Sequence, residues 1–291
     1  MRIHTSTSLF LLAISLFPVM AYAATIKPKA STEGAAAAHG TPPAVSAPVA
    51  APAAPAAAPA AHAEEAPRVA PDAVQALLME GNARFVEGKP LHPNGDSWRR
   101  TATATNGQQP LVTVLSCSDS RVPPELLFDR GIGDLFVIRV AGNVVDKDEI
   151  ATAEYGCGHL HTPLLMVMGH TKCGAVAACV GNAQVHGSLP HLLAHINPAE
   201  KAARAKHPGA RDDEIVRMTV VENVWQSVQE LLVGSQELRQ LVLEGKLRVV
   251  GAMYDIQAGT VRILGRHPDE KRLLATAPAE TAHGEGPAPA H

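Results

Sequence analysis

The chain has 291 residues, 25 Lys and Arg against 28 Asp and Glu, a formal net charge of −3 and only 3% aromatic residues. That balance offers no electrostatic case for binding nucleic acid or an anionic membrane surface, and the scarcity of rings excludes base-stacking platforms. Four cysteines in so long a chain exclude a disulfide-stapled scaffold.

In chain order, Arg2 precedes an apolar run over residues 9–20, and Ala21-Tyr22-Ala23 places small residues where a signal peptidase cuts. Residues 1–23 therefore read as an export signal. The apolar run falls short of the roughly 20 residues that span a bilayer, so no membrane span is expected after signal removal. The signal type and the free thiols fit a Gram-negative periplasm. Residues 24–68 are dominated by Ala and Pro. Proline at that density blocks helix propagation and alanine offers little to bury, so a disordered tether is expected there, and a disordered tail over residues 276–291. The folded body is expected over residues 69–275.

Pro71 and Asp72 open a helix carrying Val74, Leu77, Leu78 and Phe85 at helical spacing. Apolar runs at 111–116 (LVTVLS), 135–140 (LFVIRV), 163–169 (PLLMVMG) and 247–255 (LRVVGAMYD) read as strands, with a shorter one at 260–264. Helical patterns fall at 148–160, 175–183, 189–206 and 214–232. Continuous apolar strands alternating with helices predict an α/β fold, a mainly parallel β-sheet flanked by helices on both faces.

The chemistry-bearing residues cluster at the strand exits. Cys117, Asp119 and Arg121 (SCSDSRV) follow the first strand; His170 and Cys173 (GHTKCG) follow the third. Open α/β sheets place ligands at the carboxyl ends of their strands. Two thiolates and an imidazole suit zinc, and three protein ligands leave a fourth position open for water, the catalytic pattern. Zinc lowers the pKa of its water toward about 7. Because two thiolates neutralise the ion, activity is expected to rise toward alkaline pH. Arg121 can clamp Asp119 as an ionised acceptor for the proton of zinc-bound hydroxide. Spacing alone also allows a disulfide or redox pair, or inert core cysteines. Cys157 and Cys179 read as buried thiols, with a mutual disulfide as the lesser option, and most of the 14 histidines as surface or satisfied helix residues.

Cys117-Ser-Asp119-Ser-Arg121, with His170-Thr-Lys-Cys173 beginning 53 residues after Cys117, resembles the paired signature of β-carbonic anhydrases. The resemblance covers the whole folded body and includes residues 81–88, 136–143 and 154–160. It implies one zinc per subunit on Cys117, His170 and Cys173, and a catalytic dyad of Asp119 and Arg121. It also implies substrate contacts from Gln108, Phe136 and Tyr155. The implied reaction is reversible hydration of carbon dioxide to bicarbonate and a proton by attack of zinc-bound hydroxide. The implied assembly is a homodimer or higher homo-oligomer with active sites at the subunit interface. Val114 stands where members inhibited by bicarbonate at a non-catalytic site carry Trp, so no such inhibition is expected. The same fold and ligands would also serve a carbon disulfide or carbonyl sulfide hydrolase, and a zinc-binding protein without turnover is the reading from another class.

Overall fold

The computed structural model describes residues 69–275; the expected export signal, tether and tail lie outside them. Five strands form one sheet in the order β2-β1-β3-β4-β5: β1 (Val112–Ser116), β2 (Leu135–Arg139), β3 (Leu164–His170), β4 (Arg248–Tyr254) and β5 (Val261–Gly265). The first four run parallel, and β5 pairs antiparallel with β4. The sheet is thus mainly parallel, as the apolar runs predict.

The period of two along each strand builds two cores. Leu115, Leu165, Val167 and Val249 face one side with Val224, Val228, Leu231 and Leu232. Val112, Val114, Leu164, Met166, Met168 and Val250 face the other with Val74, Leu78 and Phe128. All seven residues of β3 are buried. The first face is covered largely by a 23-residue helix, Asp212–Gly234, and the second by α1 (Pro71–Val86).

The other helices are α2 (Ser97–Asn106), α3 (Pro124–Leu127), α4 (Lys147–Glu154), α5 (Gly174–Val180), α6 (Leu189–Ala194), α7 (Asn197–Lys206), the long helix α8, α9 (Gln236–Leu243) and α10 (Glu270–Leu274). Three depart from expectation. The pattern at 148–160 is not one helix: α4 stops at Glu154, and Tyr155–His159 widen into a π-turn in which Leu160 N donates to Tyr155 O at 2.9 Å. A Cβ at Gly156 would lie 2.3 Å from Thr113 Oγ1, so close packing on β1 fixes glycine there. The pattern at 189–206 breaks into α6 and α7, with Pro in the first turn of each. Finally, α2 gives no apolar signal and buries no residue, but Asp96 caps it by accepting from Arg99 N at 2.7 Å.

Residues 81–88 hold α1 in place. Asn82 Nδ2 donates to Leu127 O at 3.1 Å and Gly259 O at 2.9 Å, while its Oδ1 accepts from Val261 N at 2.8 Å. Asn82→Ala would strand two buried backbone groups and a part-buried third. It is expected to cost about 2–3 kcal/mol, read as a lowered urea midpoint at unchanged m-value. Among the described residues no helix is long and apolar enough to cross a membrane.

Candidate metal centre and active site

β1 and β3 are neighbours with Ser116 opposite Met168, so Cys117 and His170 emerge side by side at the carboxyl edge. Cys173 follows at the N-cap of α5 after a tight turn in which Lys172 takes φ 58°. The ligating atoms of Cys117, His170 and Cys173 all lie within 4.8 Å of one another, and all three residues are buried. Tetrahedral ligands on zinc stand about 3.5–3.8 Å apart, so the trio fits a single ion.

The proton pattern points the same way. His170 is 0% exposed, and its Nδ1 lies 2.9 Å from Thr171 O, which makes Nδ1 the N–H donor. Nε2 then presents a lone pair, and it is buried without a hydrogen-bond partner. A buried unpaired nitrogen beside two thiols suits a cation. The two sulfurs are unequal. The Cys117 thiol is pulled down, chiefly by a hydrogen bond from the Cys173 thiol and further by the amides of Asp119 and Gly142. Cys173 is pushed up by the same contact, by burial and by the Cys117 charge. The pair gives up one proton readily and holds the second. A cation in the proton's place would stabilise both thiolates.

Beside the trio, Arg121 grips Asp119 with both arms: Nε to Oδ1 at 2.9 Å and Nη2 to Oδ2 at 2.7 Å. Arg121 N also donates to Oδ1 at 3.0 Å. The guanidinium therefore holds the Asp119 carboxyl well below the usual carboxylate range. Asp119 Oδ2 stands 4.0 Å from His170 Nε2.

Residues that composition and spacing do not single out fix this geometry. Arg139, at the end of β2, donates from Nε to Cys117 O at 3.2 Å and from Nη2 to Asp119 O at 2.7 Å, locking the loop that carries both. Gly142 N donates to Cys117 Sγ at 3.2 Å, an orientation that needs its φ of 72°. Asn223 of α8 holds that turn from behind, donating to Gly142 O at 2.7 Å, and Ser227 donates to Asn143 O at 2.8 Å. Asn223→Leu should loosen the Gly142 amide from the sulfur. Zinc loss to a chelator is expected to quicken by about 10-fold, on the scale of outer-shell changes, with the far-UV circular dichroism unchanged.

Gln108, Phe136 and Tyr155 form a separate group. Gln108 and the exposed Tyr155 line one surface cavity with Ile132 and Leu160. The Phe136 and Tyr155 ring centroids are 5.8 Å apart. Phe136 pairs with Thr113, four residues before Cys117, so this group lies about 13 Å along the sheet from the thiol. Within one chain the structure does not bring it to the Cys–His–Cys trio. All four cysteines are free. Cys157 is pushed up to about 11 by burial, and Cys179 Sγ donates to Asn197 Oδ1 at 3.2 Å. Both are the buried thiols expected.

A family model for carbonic anhydrase matches residues 112–261. A carbonic anhydrase of Mycolicibacterium smegmatis is 37% identical over 202 residues, which cover 68% of this chain and 95% of that protein. Carbonic anhydrase 2 of Mycobacterium tuberculosis is 36% identical over 195 residues, 66% and 92% of the two chains. In structure, the chain is similar to the β-carbonic anhydrase CafA of Aspergillus fumigatus, with a TM-score of 0.55 and 29% identity over 70% of this chain and 94% of that one. With this sheet and the paired motifs at its carboxyl edge, the chain belongs to the β class of the carbonic anhydrase family, lyases that hydrate carbon dioxide.

Proposed function

We propose that Cys117, His170 and Cys173 hold one zinc ion per subunit and that Asp119 and Arg121 form the catalytic dyad beside it. The observation that carries this reading is the buried, unpartnered His170 Nε2 facing two thiols within 4.8 Å. Zinc bound there supplies a Lewis acid that makes a water nucleophilic near neutral pH. The chain's own residues then do the following. Asp119 accepts a hydrogen bond from the nucleophile and turns its lone pair toward the substrate carbon. Arg121 keeps Asp119 ionised and oriented, and it is anchored in turn to Lys172 O at 3.3 Å. Arg139 and the Gly142 turn fix the Cys117–Asp119 loop, so the acceptor is positioned before substrate arrives. The testing experiment is stopped-flow carbon dioxide hydration on protein of measured metal content. Activity proportional to zinc, saturating at one ion per chain, supports the reading; activity independent of zinc overturns it.

We further propose that a second copy of the chain brings Gln108, Phe136 and Tyr155 to this site, so that the active unit is a homodimer or larger. Their separation from the trio within one chain supports this, as does the exposure of Tyr155 and Ile132. Co-assembly of Gln108→Ala chains with Asp119→Asn chains checks it. Mixed dimers contain one intact site, so random mixing should restore about a quarter of wild-type activity. Recovery no greater than the mean of the two variants would mean that each site is built within one chain.

A further inference from the structure

Asp146, His191 and His195 form a second ligating group, with ligand atoms all within 4.8 Å of one another. The two histidines lie four residues apart where α6 ends, which puts both rings on one side of the helix. Asp146 comes from a different segment, as the N-cap of α4. Its Oδ2 lies 3.7 Å from Nε2 of His191 and 3.7 Å from Nε2 of His195. That is too long for a hydrogen bond. Two ligands sharing one tetrahedral ion at about 2.0–2.1 Å stand about 3.3–3.4 Å apart, so a shift of a few tenths of an ångström closes the group on a cation. The rings meet edge to face with centroids 5.1 Å apart, so their nitrogens converge without stacking.

Asp146 and the backbone of His195 are held, and the His191 side chain is exposed. Asp146 Oδ1 accepts from Lys147 N at 2.8 Å, and Asp146 N donates to Glu149 Oε2 at 2.9 Å, a capping box that leaves Oδ2 toward the histidines. Gln226 Nε2 donates to His195 O at 2.6 Å and to Glu230 Oε1 at 2.8 Å. Glu230 is pushed up to about 7 by burial and then by the charge on Asp146, so carboxylates crowd this corner. The three residues border a cleft of about 290 Å³ that also includes Val144 and Leu192, leaving room for solvent on an ion.

We propose that Asp146, His191 and His195 form a second divalent-metal site, selective for borderline transition cations such as Ni2+, Zn2+ or Cu2+. Two imidazoles and one carboxylate match those ions, whereas Ca2+ and Mg2+ require more oxygen ligands. The site stands apart from the thiolate centre and does not depend on how that centre is read. An ion there would strap α6 to the start of α4.

The test titrates the zinc-loaded full chain with Ni2+ in equilibrium dialysis. The wild type is expected to bind one Ni2+ per chain. His191→Ala and His195→Ala should each weaken that binding by at least about 10-fold, and the double variant should lose it. Asp146→Asn, which keeps a good helix cap, should weaken it as well. Carbon dioxide hydration measured without Ni2+ should be the same in all four variants. Equal Ni2+ binding by the wild type and the double variant, or no Ni2+ binding by the wild type, would overturn the proposal.

Discussion

Cys117→Ser is expected to lose zinc and carbon dioxide hydration together, with kcat/KM down at least about a thousand-fold. A serine hydroxyl stays protonated near neutral pH and is a poor zinc ligand. The thiol it replaces is already pulled below the ordinary thiol range by the Cys173 thiol and by two backbone amides. The variant also leaves His170 Nε2 buried with one thiolate fewer to share an ion. The two readouts must fall in step. Zinc measured by mass spectrometry of metals and activity measured by stopped flow give the comparison. An inactive variant that keeps a full complement of zinc would show that Cys117 serves catalysis by some route other than ligation. Circular dichroism matching the wild type excludes simple unfolding.

Asp119→Asn and Arg121→Ala are expected to do the reverse, keeping zinc and losing turnover. The loss should be about 10²–10³-fold in kcat for Asp119→Asn, the size seen when one positioned polar group is removed from a transition state. Arg121→Ala should cost somewhat less, because the carboxylate survives but swings. The sign of the pH effect follows from the ion pair. Arg121 holds the Asp119 carboxyl below the ordinary carboxylate range. Its contribution to stability is therefore fully present above the unfolded value of about 3.9 and is lost as pH falls through the lower folded value. Asp119 does not titrate between about pH 6 and pH 9. An alkaline rise in wild-type activity over that range would belong to the nucleophile, and Arg121→Ala should keep the rise at a lower plateau. A flat wild-type profile over that range would contradict the two-thiolate account.

The parts of the site that sequence makes legible share a cause. Cys117 and His170 stand at the ends of continuous apolar runs, with Cys173 three residues beyond His170, and strand exits in a parallel sheet lie on one edge. Asp119 and Arg121 ride on the same exit, two and four residues on, so their partnership is local. What spacing does not disclose is long range. Asn223 reaches Gly142 across 81 residues and Ser227 reaches Asn143 across 84, and both look like ordinary polar residues on the buried stripe of α8. The role of Arg139 is long range too, because its hydrogen bonds to Cys117 O and Asp119 O depend on β2 lying beside β1. In the fold, all five strands and the long helix follow their apolar patterns. The helix α2 does not, since it buries nothing and rests on its cap. The π-turn at Tyr155–His159 was masked by a helical pattern whose glycines pack against β1 and Glu237. The separation of Gln108, Phe136 and Tyr155 from the trio appears only in three dimensions, because it concerns opposite ends of the same strands.

X-ray absorption at the zinc edge of the purified protein tests the metal assignment most directly, since it counts ligand atoms without relying on turnover. Two sulfurs near 2.3 Å and one nitrogen near 2.0 Å, with one further light atom, are the expected result. A shell with no sulfur, or with four, would contradict a centre built from Cys117, His170 and Cys173.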